Sequence, residues 1–240
     1  MIEAWQAAER YSLRTTLLLH LAPGAVLTVA FLLAAPAVHR AGGSSYLALL
    51  LCIPTILVPF ELRVVVVERR RLGRGWGALV APRGGSRSSV LETLLSVAVL
   101  YAVSMMAAVL AGPTVTAGLR AAVRWLPRWA IVDGFPGGVS PSTLWLGLVL
   151  SGLVAPIVEE LYFRALLMPR IPVAGAWAPA VSAGLFAIYH FFSPWNYVAI
   201  FVVFLPLTYY FRIRGKLVPV IVTHCLFNSV GIVAALARLA

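Results

Sequence analysis

Apolar residues along this chain arrive in runs of roughly 20, broken by short polar or arginine-rich stretches. A helix needs about 20 such residues to cross the hydrocarbon of a bilayer. The runs predict seven spans, at about 15–38, 45–67, 90–111, 141–168, 178–192, 196–211 and 217–237. The fifth is short. Strands of a membrane barrel would alternate in segments of about ten residues, and these runs do not alternate. The pattern predicts an all-α polytopic transmembrane helical bundle, with about seven spans and no internal repeat.

One stretch breaks the scheme. In "LRAAVRWLPRWAIV", Arg120, Arg124 and Arg128 recur every four residues between Leu119, Val123, Leu126 and Trp129. That spacing predicts a short interfacial amphipathic helix, with Trp125 and Trp129 near the headgroups and Pro127 bending or ending it. The chain then divides at about residue 140. Residues 1–140 are N-terminal transmembrane helices with a basic loop and an interfacial connection. Residues 141–240 are core helices of the same single membrane domain.

Composition agrees with this reading. The chain is 61% hydrophobic and only 11% charged, whereas soluble domains are about 45–50% apolar and about 25% charged. The net charge of +11 does not imply nucleic acid, because the basic residues sit in loops and at helix ends. Positive-inside bias and anionic lipid account for them, and no nucleic-acid partner is expected. The lipid bilayer is the expected partner; oligomeric state is not legible.

The arginines also orient the bundle. With the N-terminus in the cytoplasm, Arg69, Arg70, Arg71, Arg74, Arg83 and Arg87 fall inside, as do Arg170, Arg212, Arg214 and Lys216. The outside holds Arg40, Arg120, Arg124, Arg128 and Arg238, so the N-terminus is expected inside and the C-terminus outside. Ala35-Pro36-Ala37 faintly resembles a cleavage site. The preceding apolar run exceeds the roughly 7–15 residues of a signal peptide, so a retained span is expected. Cys52 and Cys225 lie in apolar runs and read as small buried hydrophobes.

The chemistry lies in polar residues within the spans. An ionisable side chain at the centre of a membrane helix costs at least about 2.5–3.5 kcal/mol, so each is a functional candidate. Span four carries Glu159, Glu160 and Arg164, span five His190, and span seven His224 with Asn228. Glu160 and Arg164 are four apart in the favourable order for an ion pair, so they predict a structural clamp. Glu159 points about 100° away with no local cation, which leaves it free for chemistry. Phe186, one turn before His190, is expected to pack on its ring. Counted from Pro169, Pro179 and Lys216, these residues lie roughly 12–17 Å deep, so the three helices can meet at one level. Glu61 and Arg63, two apart on span two, are expected to snorkel or to pair with other helices. Glu92 is expected at the interface. Ser151, Ser182 and Ser229 show no nucleophile motif.

"EELYFR", "FAIYH" and "HCLFN", in this order on successive apolar helices, resemble the CPBP intramembrane proteases. That group comprises the CAAX prenyl endopeptidases of the Rce type and the bacteriocin-processing or Abi proteins. The resemblance spans about residues 145–232. It implies an intramembrane endopeptidase in which Glu159 activates water, His190 helps to hold it, and His224 and Asn228 stabilise the oxyanion. Glu160 and Arg164 match the remaining motif positions.

The resemblance leaves the metal open. Members have often been called metalloproteases, and a zinc set would be Glu159, His190 and His224. Without a His-Glu-x-x-His helix, and with Asn a poor zinc ligand, a metal-free, glutamate-dependent site with no cofactor is expected. The implied partner is a membrane-associated protein or peptide substrate. If the chain sits in a bacterial cytoplasmic membrane, a sorting tail, leader peptide or membrane regulator fits better than a prenylated protein. Two other classes remain: a non-catalytic scaffold or immunity protein that uses these groups as polar glue, and an ion-coupled transporter.

Overall fold

The computed structural model describes residues 10–73, 75–80, 89–132, 139–173 and 175–239, and within them every regular element is helical. The principal helices are α1 (Leu13–Arg40), α2 (Ser45–Arg71), α3 (Trp76–Val80), α4 (Val90–Ala122), α5 (Pro141–Arg170), α6 (Trp177–Tyr189), α7 (Tyr197–Arg214) and α8 (Leu217–Ala237). Among the described residues six helices, counted with the turn that leads into α7, are long and apolar enough to cross a membrane, and α6 is a shorter apolar helix. The bundle is all-α and polytopic. Arg74, Arg83 and Arg87 of the basic loop lie outside the described residues.

Four helices begin on a serine cap. Ser12, Ser44, Ser89 and Ser140 each accept a hydrogen bond from the backbone N–H three residues on, at 3.0–3.3 Å. These caps satisfy donors that water-poor surroundings would leave unpaired. At the other end of α7, Gly215 adopts the left-handed conformation (φ 65°) and closes the helix.

The separate amphipathic helix does not form. α4 continues for 33 residues to Ala122, and a turn then leads to a 3-10 segment at Arg128–Ala130. Ala, Leu and Arg at 117–122 are strong helix formers, and Arg120 in the last turn complements the dipole. The helix has already ended when Pro127 is reached.

α2 and α5 are not uniform. Wide π-type turns occupy Ile53–Leu57 in α2 and Leu150–Val154 and Glu160–Leu167 in α5. At the first α5 turn the N–H of Ala155 reaches back five residues to Leu150 O, which releases the Ser151 carbonyl. Pro156 has no N–H to offer Gly152. Two carbonyls therefore face α8, where Asn228 Nδ2 donates to Ser151 O at 2.9 Å and Ser229 Oγ to Gly152 O at 3.5 Å.

Around α5, α1 packs on α2 and α6, α7 on α4 and α6, and α8 on α4 and α5. The α1–α6 contact is very close. A Cβ at Gly24 would collide with the backbone carbonyl of Tyr189. A residue without a side chain lets the two helices approach, as small residues do in membrane bundles.

Candidate active site

Glu159 closes a regular stretch of α5, and Glu160 opens the wide turn that follows. Both are buried, Glu159 at 4% exposure and Glu160 at 0%. Their side chains leave the helix in different directions yet meet one ring from α8. His224 Nδ1 lies 2.8 Å from Glu160 Oε1, and His224 Nε2 lies 3.7 Å from Glu159 Oε2. Glu159, expected without a cation nearby, thus has an imidazole beside it. A ring with nitrogens on two edges spans carboxylates that could not share a helix face.

Arg164 holds the other oxygen of Glu160, with Nε 3.2 Å from Oε2. Both side chains are fully buried, and the contact is an ion pair without well-directed hydrogen bonding. Aromatic faces surround the guanidinium: Arg164 Cζ sits 4.1 Å from the Phe186 ring centroid and 5.1 Å from that of Phe204. Ring quadrupoles stabilise a cation that has left water. Glu160 therefore binds two basic groups, one on each oxygen.

His190 stands one residue beyond the end of α6, at its C-cap, rather than inside a longer span. Its Nδ1 lies 2.8 Å from Phe186 O. A carbonyl oxygen only accepts, so Nδ1 carries the proton and, in the neutral ring, Nε2 is left as an acceptor. Phe186 also packs edge-on against the ring, with centroids 4.9 Å apart at 82°. Backbone and ring together fix its orientation.

Glu159, His190, His224 and Asn228 line one cavity of about 270 Å³. Ser151 and Tyr189 also border it, and Leu27, Leu49, Ile53 and Leu57 from α1 and α2 add apolar lining. The N-terminal helices thus contribute apolar lining to the cavity that holds the polar side chains. Asn228 commits one N–H to Ser151 O, which leaves its second N–H and its oxygen for other partners. Ser151 is held in turn by Tyr46, whose hydroxyl lies 2.7 Å from Ser151 Oγ.

Of the two courses expected for Glu61, snorkelling and pairing with another helix, the structure shows the second. The residue is 0% exposed, and its Oε1 accepts a 2.8 Å hydrogen bond from the hydroxyl of Tyr189 on α6. His20 on α1 is also fully buried, with Nδ1 2.8 Å from Thr16 O, and was not singled out from the sequence. Glu92 is partly exposed, as expected at an interface, and pairs with Arg214 at 2.8 Å and Lys216 at 2.6 Å. Cys52 is buried and Cys225 half-buried; both are free thiols.

All six motif residues lie between the start of α5 and the middle of α8. Residues 141–230, which contain them, match the family described as Type II CAAX prenyl endopeptidase Rce1-like. No curated protein and no solved structure matches the chain.

The segment from Pro141 onward presents a buried carboxylate, a histidine with a free acceptor nitrogen and an amide with a spare donor around one cavity. Groups of these kinds can activate water and meet a developing oxyanion. Among the described residues no three His, Cys, Asp or Glu side chains form a metal-holding group. His224 Nδ1 is already taken by Glu160.

Proposed function

We propose that this chain is a glutamate-dependent intramembrane endopeptidase that hydrolyses a peptide bond of a membrane-associated protein. The observation that carries this reading is the convergence of Glu159, His190, His224 and Asn228 on one cavity within the Rce1-like domain.

The chemistry follows from the groups present. Water binds between the Glu159 carboxylate and His190, whose Nε2 accepts one of its hydrogens. Glu159 takes a proton as the water oxygen attacks the carbonyl carbon, and the carbonyl π electrons move onto its oxygen. The second N–H of Asn228 donates to that oxyanion, and so does His224 Nε2 when the ring carries its second proton, with Glu160 as the counter-charge. Glu159 then returns its proton to the amine nitrogen as the C–N bond breaks. Water supplies the new hydroxyl, and no covalent enzyme intermediate is needed.

The apolar wall of Leu27, Leu49, Ile53 and Leu57 suits an apolar side chain next to the scissile bond. We further propose that the N-terminus lies in the cytoplasm, from the arginine distribution, and that residues 141–240 form the catalytic half of one domain. A comparison of membrane-protein termini in cells carrying wild-type chain or Glu159→Gln at equal abundance tests the function. Termini that vanish in the variant are expected. Identical termini would remove the protease reading.

A further inference from the structure

A third buried carboxylate adjoins the site and has no role in the reaction just described. Glu61 comes from α2, outside the matched domain, and is fully buried. Its Oε1 accepts from the Tyr189 hydroxyl at 2.8 Å, and its Oε2 has no hydrogen-bond partner among the described residues. Burying a carboxyl in a membrane helix is costly, so its retention calls for a reason.

The reason lies in what Tyr189 can do. A phenol has one proton to donate. Tyr189 borders the cavity that Glu159 also lines. In the structure Glu61 holds that single O–H. The charged and titratable groups around Glu61 and Glu159 are Glu160 and Arg164 from α5, Tyr189 from α6 and His224 from α8. Gly24 lets α1 press against the backbone of Tyr189, which fixes where the phenol stands.

We propose that Glu61 is a positioning residue: by holding the Tyr189 proton, it keeps the Glu159 carboxylate free of a donor and available as the base. Without an acceptor at position 61, the hydroxyl turns to Glu159 and donates to it. A carboxylate so bonded is a weaker base, and turnover falls while substrate binding is unchanged. The catalytic consequence rests on the proposed peptidase reading; the hydrogen-bond competition does not.

Infrared difference spectroscopy of purified protein in lipid tests the competition directly. Each background is measured against its own Glu159→Gln counterpart, which isolates the Glu159 carboxyl band. Glu61→Leu should displace that band. Glu61→Gln, which keeps an acceptor oxygen but no charge, should leave it in place, as should Tyr189→Phe, which has no proton to redirect. Glu61→Leu combined with Tyr189→Phe should return the band to its wild-type position. The proposal is overturned if Glu61→Leu leaves the band unmoved, if the displacement persists in the double variant, or if Tyr189→Phe alone displaces it equally. Glu159-dependent cleavage, followed in the same variants, should fall several-fold in Glu61→Leu and recover in the double variant. Absence of any such cleavage would count against the peptidase reading, while the band positions would still decide the hydrogen-bond competition.

Discussion

His224 Nδ1 lies 2.8 Å from Glu160 Oε1, and the opposite oxygen of the same carboxylate meets Arg164. Glu160 thus orients the imidazole that faces Glu159 and balances a guanidinium with 0% exposure. Removing one member of a buried ion pair strands the other, at about 3–5 kcal/mol. Glu160→Gln should lower unfolding stability in detergent by that order. Adding Arg164→Met should recover much of the loss, because the stranded charge is gone.

His190→Phe separates packing from chemistry. The phenyl ring retains the edge contact with Phe186 but has no acceptor nitrogen to hold water. Unfolding stability should fall only by the cost of the freed Phe186 carbonyl, about 1–3 kcal/mol, while the rate at which Glu159-dependent termini appear should fall by about 10²–10⁴.

Asn228→Ala should affect both properties. It frees the Ser151 carbonyl that the wide turn of α5 had already released, at a cost of about 1–3 kcal/mol. It also removes one of the two proposed oxyanion donors, and cleavage should slow by about 10²–10³. Paired unfolding and cleavage measurements on Asn228→Ala check the two effects separately.

Gly24→Val should destabilise the α1–α6 contact and displace Tyr189 at the edge of the cavity. The added carbons meet the Tyr189 carbonyl, and helices forced apart in a packed bundle lose about 1–3 kcal/mol. Differential scanning of the purified variant reads this loss.

Much of the bundle was legible because lipid imposes a length rule on apolar runs. The last span, read as 217–237, coincides with α8. The interfacial helix failed because α4 runs on through Gly112 and Pro113 to Ala122 instead of ending there. Within the site, i to i+4 spacing gave the Glu160–Arg164 pair directly. The role of His224 between both glutamates was not legible, since it depends on how α8 sits against the wide turns of α5. Pro156 hinted at that irregularity by removing an N–H from the ladder. Glu61 was visible as a charge at depth, but its partner Tyr189 lies 128 residues away, and only packing brings the two together.

Hydrolysis in heavy-oxygen water tests the central claim most directly. Purified wild-type chain and Glu159→Gln would be reconstituted with membrane proteins from source cells, and new C-termini read by mass spectrometry. The account predicts new C-terminal carboxylates that carry one heavy oxygen with the wild type and none with the variant. New termini of equal yield with both proteins, or none with either, would contradict it.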